Sequence, residues 1–258
     1  MTEQLVLTDD RGAVRVLTLN RPAARNALSR DLIRAAYAAL TAADVDDSVR
    51  AVVLTGTDPA FCAGVDLKEA ARDGLAYFEE FREQSCIAAV AAMRTPVVGA
   101  INGATFTGGL EMALGCDFLI ASERAVFADT HARVGILPGG GMTARLPQLV
   151  GAAMARRLSM TGEVVDAAYA ERIGLVTEVV AHDRLLERAV DLAAQIADVP
   201  RPTMRSLKEI YTTGASAVTG PALAAEQEIA FAQHRAFDTL EIAFHAVAQR
   251  NKEQIRPD

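Results

Sequence analysis

Residues 97–111 read Val97-Val98-Gly99-Ala100-Ile101-Asn102-Gly103-Ala104-Thr105-Phe106-Thr107-Gly108-Gly109-Leu110-Glu111, and this stretch decides the fold class. Pro96 closes the preceding segment, and Val97–Ile101 is a short apolar run of the kind that forms a buried strand. Asn102-Gly103 starts a loop, and Gly108-Gly109 opens a short helix. A strand that passes through glycines into a helix is the unit of an α/β fold.

The same alternation extends in both directions. Upstream, Gln4–Leu7 and Val14–Leu19 flank Asp9-Asp10-Arg11-Gly12, which predicts a hairpin with its turn on those four residues. Asn20-Arg21-Pro22 breaks the second strand. Ser29 is placed to cap a helix with Asp31 in its first turn, and Leu32, Ile33, Ala36 and Leu40 fall at helical spacing. Val49–Leu54, followed by Thr55-Gly56, reads as another buried strand, and residues 67–93 read as helical. Downstream, Asp117–Ala121 and Val126-Phe127 are extended, and Pro138-Gly139-Gly140-Gly141 is a loop before a helix from about Met142. Strands and helices alternate to about residue 180, with no exact internal repeat. After Pro200 and Pro202 the pattern changes: Thr203 to Gln254 reads as helix, interrupted at Gly214 and at Gly220-Pro221. Its apolar positions, among them Ile229, Phe231, Phe237 and Phe244, call for packing on the core or on another subunit.

The chain has 258 residues, enough for one large domain or a core with an appended segment. Its formal charge is −7, which disfavours general binding to nucleic-acid phosphates. The locally basic Gln249-Arg250-Asn251-Lys252 reads as a solvated helix end. No uncharged apolar run reaches the roughly 18 residues of a membrane span. Met1-Thr2-Glu3-Gln4 lacks the basic start and apolar core of a secretory signal. Three irregularly spaced cysteines, Cys62, Cys86 and Cys116, predict free thiols in a cytoplasmic protein, with neither a disulfide framework nor a zinc site. There is no Gly-x-Ser-x-Gly elbow and no redox-cofactor motif.

Three segments have residues suited to chemistry. Phe61-Cys62-Ala63-Gly64-Val65-Asp66-Leu67-Lys68-Glu69 leads from a strand into a helix, and its small residues let backbone approach a ligand closely. Unpartnered N–H groups at a helix start suit an anion or a developing oxyanion; an ordinary strand-to-helix turn has the same appearance. In the second segment, Gly108 can present another N–H, and Glu111 follows in the first turn, where a helix-dipole or capping role is the alternative to catalysis. The third runs Asp129-Thr130-His131-Ala132-Arg133-Val134-Gly135-Ile136-Leu137-Pro138-Gly139-Gly140-Gly141. Its glycine triplet fits neither a Walker loop nor a dinucleotide fingerprint and reads as a tight loop entering a helix. If this segment is extended, Asp129 and His131 share a face and Asp129 orients the imidazole; a backbone-turn role for Asp129 and a structural role for His131 are the alternatives.

Taken together, the segments resemble the crotonase, or enoyl-CoA hydratase/isomerase, superfamily. The matching residues are Leu19-Asn20-Arg21-Pro22 with Arg25-Asn26-Ala27-Leu28, Ala63-Gly64-Val65-Asp66, Asn102-Gly103 with Gly108-Gly109 and Glu111, and Gly135-Ile136-Leu137-Pro138-Gly139. Thr161-Gly162, Ala170, Gly174-Leu175-Val176 and Lys208-Glu209 continue the match. The resemblance implies a crotonase-like spiral of ββα units over residues 1–200 and a C-terminal helical oligomerisation segment over residues 201–258, which builds a trimer or a dimer of trimers. It implies an acyl-CoA thioester as partner, no metal, and no cofactor beyond the coenzyme A that is part of the substrate. It places the oxyanion-hole amides at Val65 and Gly108. Coenzyme A contacts are implied at Arg25 for the phosphates, at Ala27, at the backbone from Ala63 through Asp66 to Leu67 for the adenine, and at Lys208.

Family hydratases set two glutamates around one water. One matches Glu111, and the other falls at His131. The implied activity is hydration of 2-enoyl-CoA in fatty-acid metabolism, with Glu111 as principal acid/base and His131 assisting. Isomerisation of 3-enoyl-CoA by Glu111 alone is the second reading, and a non-catalytic acyl-CoA-binding protein is the third. Ile242 and Ala246 depart from the family's usual ending.

Overall fold

The computed structural model describes residues 4–236. Phe237, Phe244, Ile242, Ala246 and the basic stretch 249–252 therefore lie outside the described residues.

The chain opens with the expected hairpin, β1 (Val6–Arg11) and β2 (Val14–Leu19), paired antiparallel from Val6 opposite Leu19 to Arg11 opposite Val14. The turn is shorter than the sequence predicts. Asp9, Asp10 and Arg11 continue the strand instead of forming the turn. The reason is position: β1 is the edge of its sheet, five of its six residues are exposed, and charged side chains suit such an edge. Arg15 of β2 pairs with Asp10 through two hydrogen bonds of 2.6 and 2.8 Å.

β2 pairs in parallel with β3 (Ala51–Gly56), which is followed by β5 (Val97–Ile101), β7 (Phe118–Ser122) and β10 (Glu178–Val180) in a six-stranded sheet. A second sheet holds β4 (Ala60–Cys62), β6 (Ala104–Phe106) and β8 (Val126–Ala128) in parallel, with β9 (Val165–Asp166) antiparallel at its edge. The chain therefore lays one strand in the large sheet, one in the small sheet, then turns into helix, and repeats. β3–β4, β5–β6 and β7–β8 are three such turns of a ββα spiral. An isolated parallel bridge between Leu28 and Val65 marks the same place in the preceding turn, between β2 and α1 (Arg30–Val45).

Both faces of the large sheet are covered at its central strands β3 and β5, which are buried along their whole length and almost entirely apolar. Ala51, Val53, Val98, Ala100 and Ile120 point to α10 (Leu185–Asp198), which answers with Leu185, Ala189, Ala193 and Ala197 at four-residue spacing. The alternate residues Val52, Leu54, Val97, Ile101, Leu119 and Ala121 point into the main core. α1 is capped as expected, Ser29 Oγ accepting from Leu32 N–H at 3.2 Å, and Leu32, Ile33, Ala36 and Leu40 are buried.

Residues 67–93 form three helices instead of one: α2 (Leu67–Asp73), α3 (Leu75–Glu83) and α4 (Cys86–Ala92). Gly74, at φ 55°, ends the first, and Ser85 caps the third through Ala88 N–H. α5 (Gly108–Ala113) and α6 (His131–Val134) are short; α7 (Met142–Val150), α8 (Ala152–Thr161) and α9 (Ala167–Arg172) follow. α11 (Arg201–Ala236) is a single 36-residue helix. It runs unbroken through Gly214 and Gly220-Pro221, where interruptions are expected. Open space surrounds both glycines; the proline removes one main-chain donor and crowds the carbonyl four residues earlier, and Glu226 and Gln233 anchor the same helix further along. Among the described residues no helix is long and apolar enough to cross a membrane, and Cys62, Cys86 and Cys116 are free thiols.

Candidate active site

Because β4, β6 and β8 are parallel neighbours, the loops that leave them emerge side by side. Val65 follows β4, Gly108 follows β6, and His131 follows β8. Residues far apart in sequence are thereby brought to one cleft, to which Val65, Glu111, His131 and Gly140 all contribute lining.

The Val65 amide is aimed by the bridge beside it. Leu28 N–H donates to Gly64 O at 2.7 Å and Asp66 N–H donates to Leu28 O at 3.2 Å. In such a parallel bridge the intervening residue directs its own N–H to the opposite side. Val65 stands two residues before α2, so its donor is set by this bridge and not by a helix start. Gly108 is the first residue of α5, where an N–H has no intrahelical partner. The two are adjacent: a carbon built at the Cβ position of Gly108 would lie 3.7 Å from Val65 N. Gly64 is required, because at φ 94° its Cβ would stand 1.8 Å from Thr107 Oγ1. Thr107 itself has φ 47°, costly for a β-branched residue. That strain falls on the residue that turns the chain from β6 into α5.

Glu111 is 3% exposed. Its Oε1 accepts from Gly140 N–H at 2.8 Å and from Met142 N–H at 3.2 Å, and its Oε2 lies 3.8 Å from His131 Nε2. Burial, with the Glu226 charge adding to it, pushes the Glu111 carboxyl up to about 7 against the opposing pull of His131 and the two amides. His131 is 6% exposed. Burial disfavours its imidazolium, but the hydrogen bond it donates to Asp129 and the charges of Glu111 and Asp129 outweigh that and hold it above the ordinary 6.5. Burial works against ionised Asp129 too, yet its bond to His131 keeps its carboxyl below the ordinary range.

Asp129 orients the imidazole as expected, by a 2.7 Å contact of Oδ1 with Nδ1, but the segment is not extended. β8 ends at Ala128 and His131 opens α6, so the two side chains meet across a tight turn in which Asp129 Oδ1 also accepts from His131 N–H at 3.2 Å. With Nδ1 committed to Asp129, Nε2 is the nitrogen that faces Glu111.

Two features of the site have no motif in the sequence. The glycine loop is a cradle of amides for two buried carboxylates: Gly140 serves Glu111, while Gly141 N–H and Thr143 N–H, each at 2.6 Å, and Thr143 Oγ1 at 2.5 Å donate to Glu226 of α11. α11 also holds Leu137 N–H through Gln233 at 2.9 Å. Its Phe231 and His234 line the cleft, while Ile229 is exposed. The only signal for this inner face is the helical spacing of Glu226, Ala230, Gln233 and His234.

Among the residues read as coenzyme A contacts, the structure brings most together. Ala63 N–H donates to Arg25 O at 3.0 Å, and Arg21 Nη1 links Ala27 O at 3.1 Å to Asp66 Oδ2 at 2.6 Å. The exposed Arg25 side chain has no ion pair among the described residues, and its φ of 52° tightens the loop around it. Leu67 starts α2. The Asp66 carboxylate caps α2 through Lys68 N–H and Glu69 N–H besides pairing with Arg21, which fixes the loop. The Lys208 ammonium is held by Asp117 at 2.7 Å and Thr95 O at 3.2 Å, and it does not line the cleft with Glu111. Among the described residues no cluster of His, Cys, Asp and Glu could hold a metal.

Residues 9–253 match the model of the enoyl-CoA hydratase/isomerase family. The chain belongs to this family. It is 43% identical over 211 residues to a probable enoyl-CoA hydratase of Rhizobium meliloti, covering 81% of each chain. A solved enoyl-CoA hydratase from Mycobacterium avium shares 48% identity at a TM-score of 0.80, covering 90% of this chain and 97% of that one. A monofunctional enoyl-CoA isomerase from M. smegmatis is similar as well, 32% identical with a TM-score of 0.73, over 86% of this chain and 98% of that one. Family membership and the matching ββα spiral are thus independent of how the acid/base pair is read.

Proposed function

We propose that this family member is an enoyl-CoA hydratase that adds water reversibly across the double bond of 2-enoyl-CoA thioesters. The observation that supports the proposal is that Val65, Glu111 and His131 line one cleft, with the Cβ position of Gly108 3.7 Å from Val65 N. The thioester carbonyl accepts from both amides, which stabilise the charge that appears on its oxygen when C3 is attacked. Glu111 as carboxylate takes a proton from water while the water oxygen bonds to C3, and the C2=C3 electrons move into the enolate. The imidazolium of His131 then gives its proton to C2, and the carbonyl re-forms. Glu111 is left protonated and His131 neutral. Transfer of that proton from Oε2 to Nε2, 3.8 Å apart, restores the starting pair. A carboxyl near 7 beside a raised imidazole suits proton transfer in both directions at neutral pH. Hydration changes no oxidation state, so side chains and backbone supply the whole scheme, with coenzyme A entering as part of the substrate.

The Arg25 guanidinium pairs with coenzyme A phosphates, and backbone from Ala63 to Leu67 meets the adenine. Residues 1–200 are the catalytic core and residues 201–258 the oligomerisation segment of a trimer or a dimer of trimers, in keeping with the exposed apolar side chains on α11. The enzyme serves fatty-acid metabolism in the cytoplasm.

A second reading, 3-enoyl-CoA isomerase, is favoured by one feature: among the described residues that line the cleft Glu111 is the one glutamate, and its Oε2 faces His131. A single base suffices to move a proton between C2 and C4. Purified protein given 2-butenoyl-CoA and 3-butenoyl-CoA separately distinguishes the two. Loss of the conjugated enoyl absorbance with the first is the hydratase result. A gain of that absorbance with the second, and no change with the first, is the isomerase result.

A further inference from the structure

His234 takes no part in the scheme above. It is 6% exposed, and neither ring nitrogen has a hydrogen-bond partner among the described residues. Buried imidazoles are seldom left so, because an unmade hydrogen bond is costly away from water. The ring is not loose: it stacks on Phe78 at 4.2 Å and 22° and meets Phe231 edge-on at 6.2 Å. Burial holds it neutral, its pKa pushed down to about 4, so it offers one donor and one acceptor.

Its surroundings indicate what it is for. Phe78, Arg82, Phe231 and His234 line both the Glu111 cleft and an adjoining depression, so they form the partition between them. The Arg82 guanidinium lies 5.7 Å over the Phe231 ring and has no carboxylate partner among the described residues. Gln227 adds an amide to the same cleft. Glu79 and Arg235 flank the depression, and Glu226, two turns before His234, is already occupied by three donors. An acyl chain that passes Glu111 toward this partition meets a cation and an imidazole that have no ion-pair or hydrogen-bond partner among the described residues.

We infer that this cleft selects enoyl thioesters whose acyl chain ends in a carboxylate, which accepts from His234 N–H and pairs with the Arg82 guanidinium. The inference rests on the enoyl-CoA reading and adds the substrate class. An aliphatic chain of equal length would bury the same imidazole without a partner.

The test compares the six-carbon 2-enoyl-CoA ending in a carboxylate with the six-carbon 2-enoyl-CoA ending in a methyl group. The ratio of their kcat/KM values is measured for the wild type, R82Q and H234L. A ratio of about ten or more in the wild type, falling at least several-fold in both variants, is expected. A ratio of one or less, or a ratio unchanged in R82Q, overturns the inference. Arg82 is exposed, so R82Q keeps the test valid if H234L fails to fold. Calorimetric affinities of the two saturated six-carbon thioesters give the same ratio without turnover. Preference for the acidic thioester without any hydration sinks the hydratase reading alone, and binding of neither thioester overturns both.

Discussion

Glu111 is subject to opposed demands: its site removes water from a carboxyl that the proposed hydration needs in ionised form. With a folded pKa of about 7 against an ordinary 4.5, the sign of the stability effect follows. Below about pH 4.5 both folded and unfolded chains hold the proton. Between about 4.5 and 7 the unfolded chain releases it and the folded chain keeps it, so stability falls as pH rises; above 7 the full cost is present. Glu111→Gln removes that cost while keeping an oxygen for Gly140 and Met142. The variant should be more stable than wild type at pH 8 by on the order of 1–3 kcal/mol, with the gap narrowing at pH 5. Denaturant titrations at both pH values measure it, and a gap that widens at pH 5 would contradict the assignment. Gly108 offers a complementary test with no charge involved. A methyl there meets nothing closer than 3.5 Å, so Gly108→Ala should fold normally. That methyl stands 3.7 Å from Val65 N, in the path of the thioester oxygen, and should lower kcat roughly 10²–10³-fold, the scale of losing one oxyanion donor. Near-normal turnover in this variant would remove Gly108 from the hole.

Elements explain what could and could not be seen in the chain itself. Val97–Ile101 and the α1 face were legible because strand and helix periods are local. Three residues of β1 were misread as turn because an exposed edge strand carries charges where a buried one carries valines. Interruption of α11 at Pro221 was misread because the anchors that hold it straight are remote: Glu226 meets Gly141 across 85 residues and Gln233 meets Leu137 across 96. Glu226 and His234 were invisible for the same reason, having no motif of their own. Lys208 matched a pattern, yet Asp117, 91 residues away, decides where its charge goes. The α11 anchor is testable. Glu226→Ala leaves three donors, Gly141 N–H of the glycine loop and two of Thr143 in the first turn of α7, without an acceptor. It should destabilise the protein by roughly 2–4 kcal/mol, a few unsatisfied donors' worth after partial access to water. Removing that charge should also lower the Glu111 pKa, so the stability gap described for Glu111→Gln shrinks in the Glu226→Ala background. A fully stable Glu226→Ala would show that the loop does not need α11.

At the scale of the molecule, the ββα spiral explains why the site is where it is. Parallel strands of the small sheet release three loops at one edge, and α11 closes over them on one face. The N-terminal half of α11 is left largely uncovered: Ile210, Tyr211 and Val218 are 69%, 74% and 66% exposed, apolar side chains unusual on a free surface. Sedimentation should therefore report a trimer or a multiple of it, and Ile210→Glu combined with Tyr211→Glu should shift the protein toward monomer. A monomeric wild type at micromolar concentration would contradict that placement of the helix. The central claim is that Glu111 works on an enolate held by the Val65 and Gly108 amides, and one measurement reaches it most directly. Steady-state hydration of 2-butenoyl-CoA by wild type and Glu111→Gln, with thioester affinity measured in parallel, separates chemistry from binding. A fall in kcat of about 10²–10⁴-fold with affinity nearly unchanged is expected; turnover in Glu111→Gln close to wild type, or none in the wild type itself, would contradict that role of Glu111.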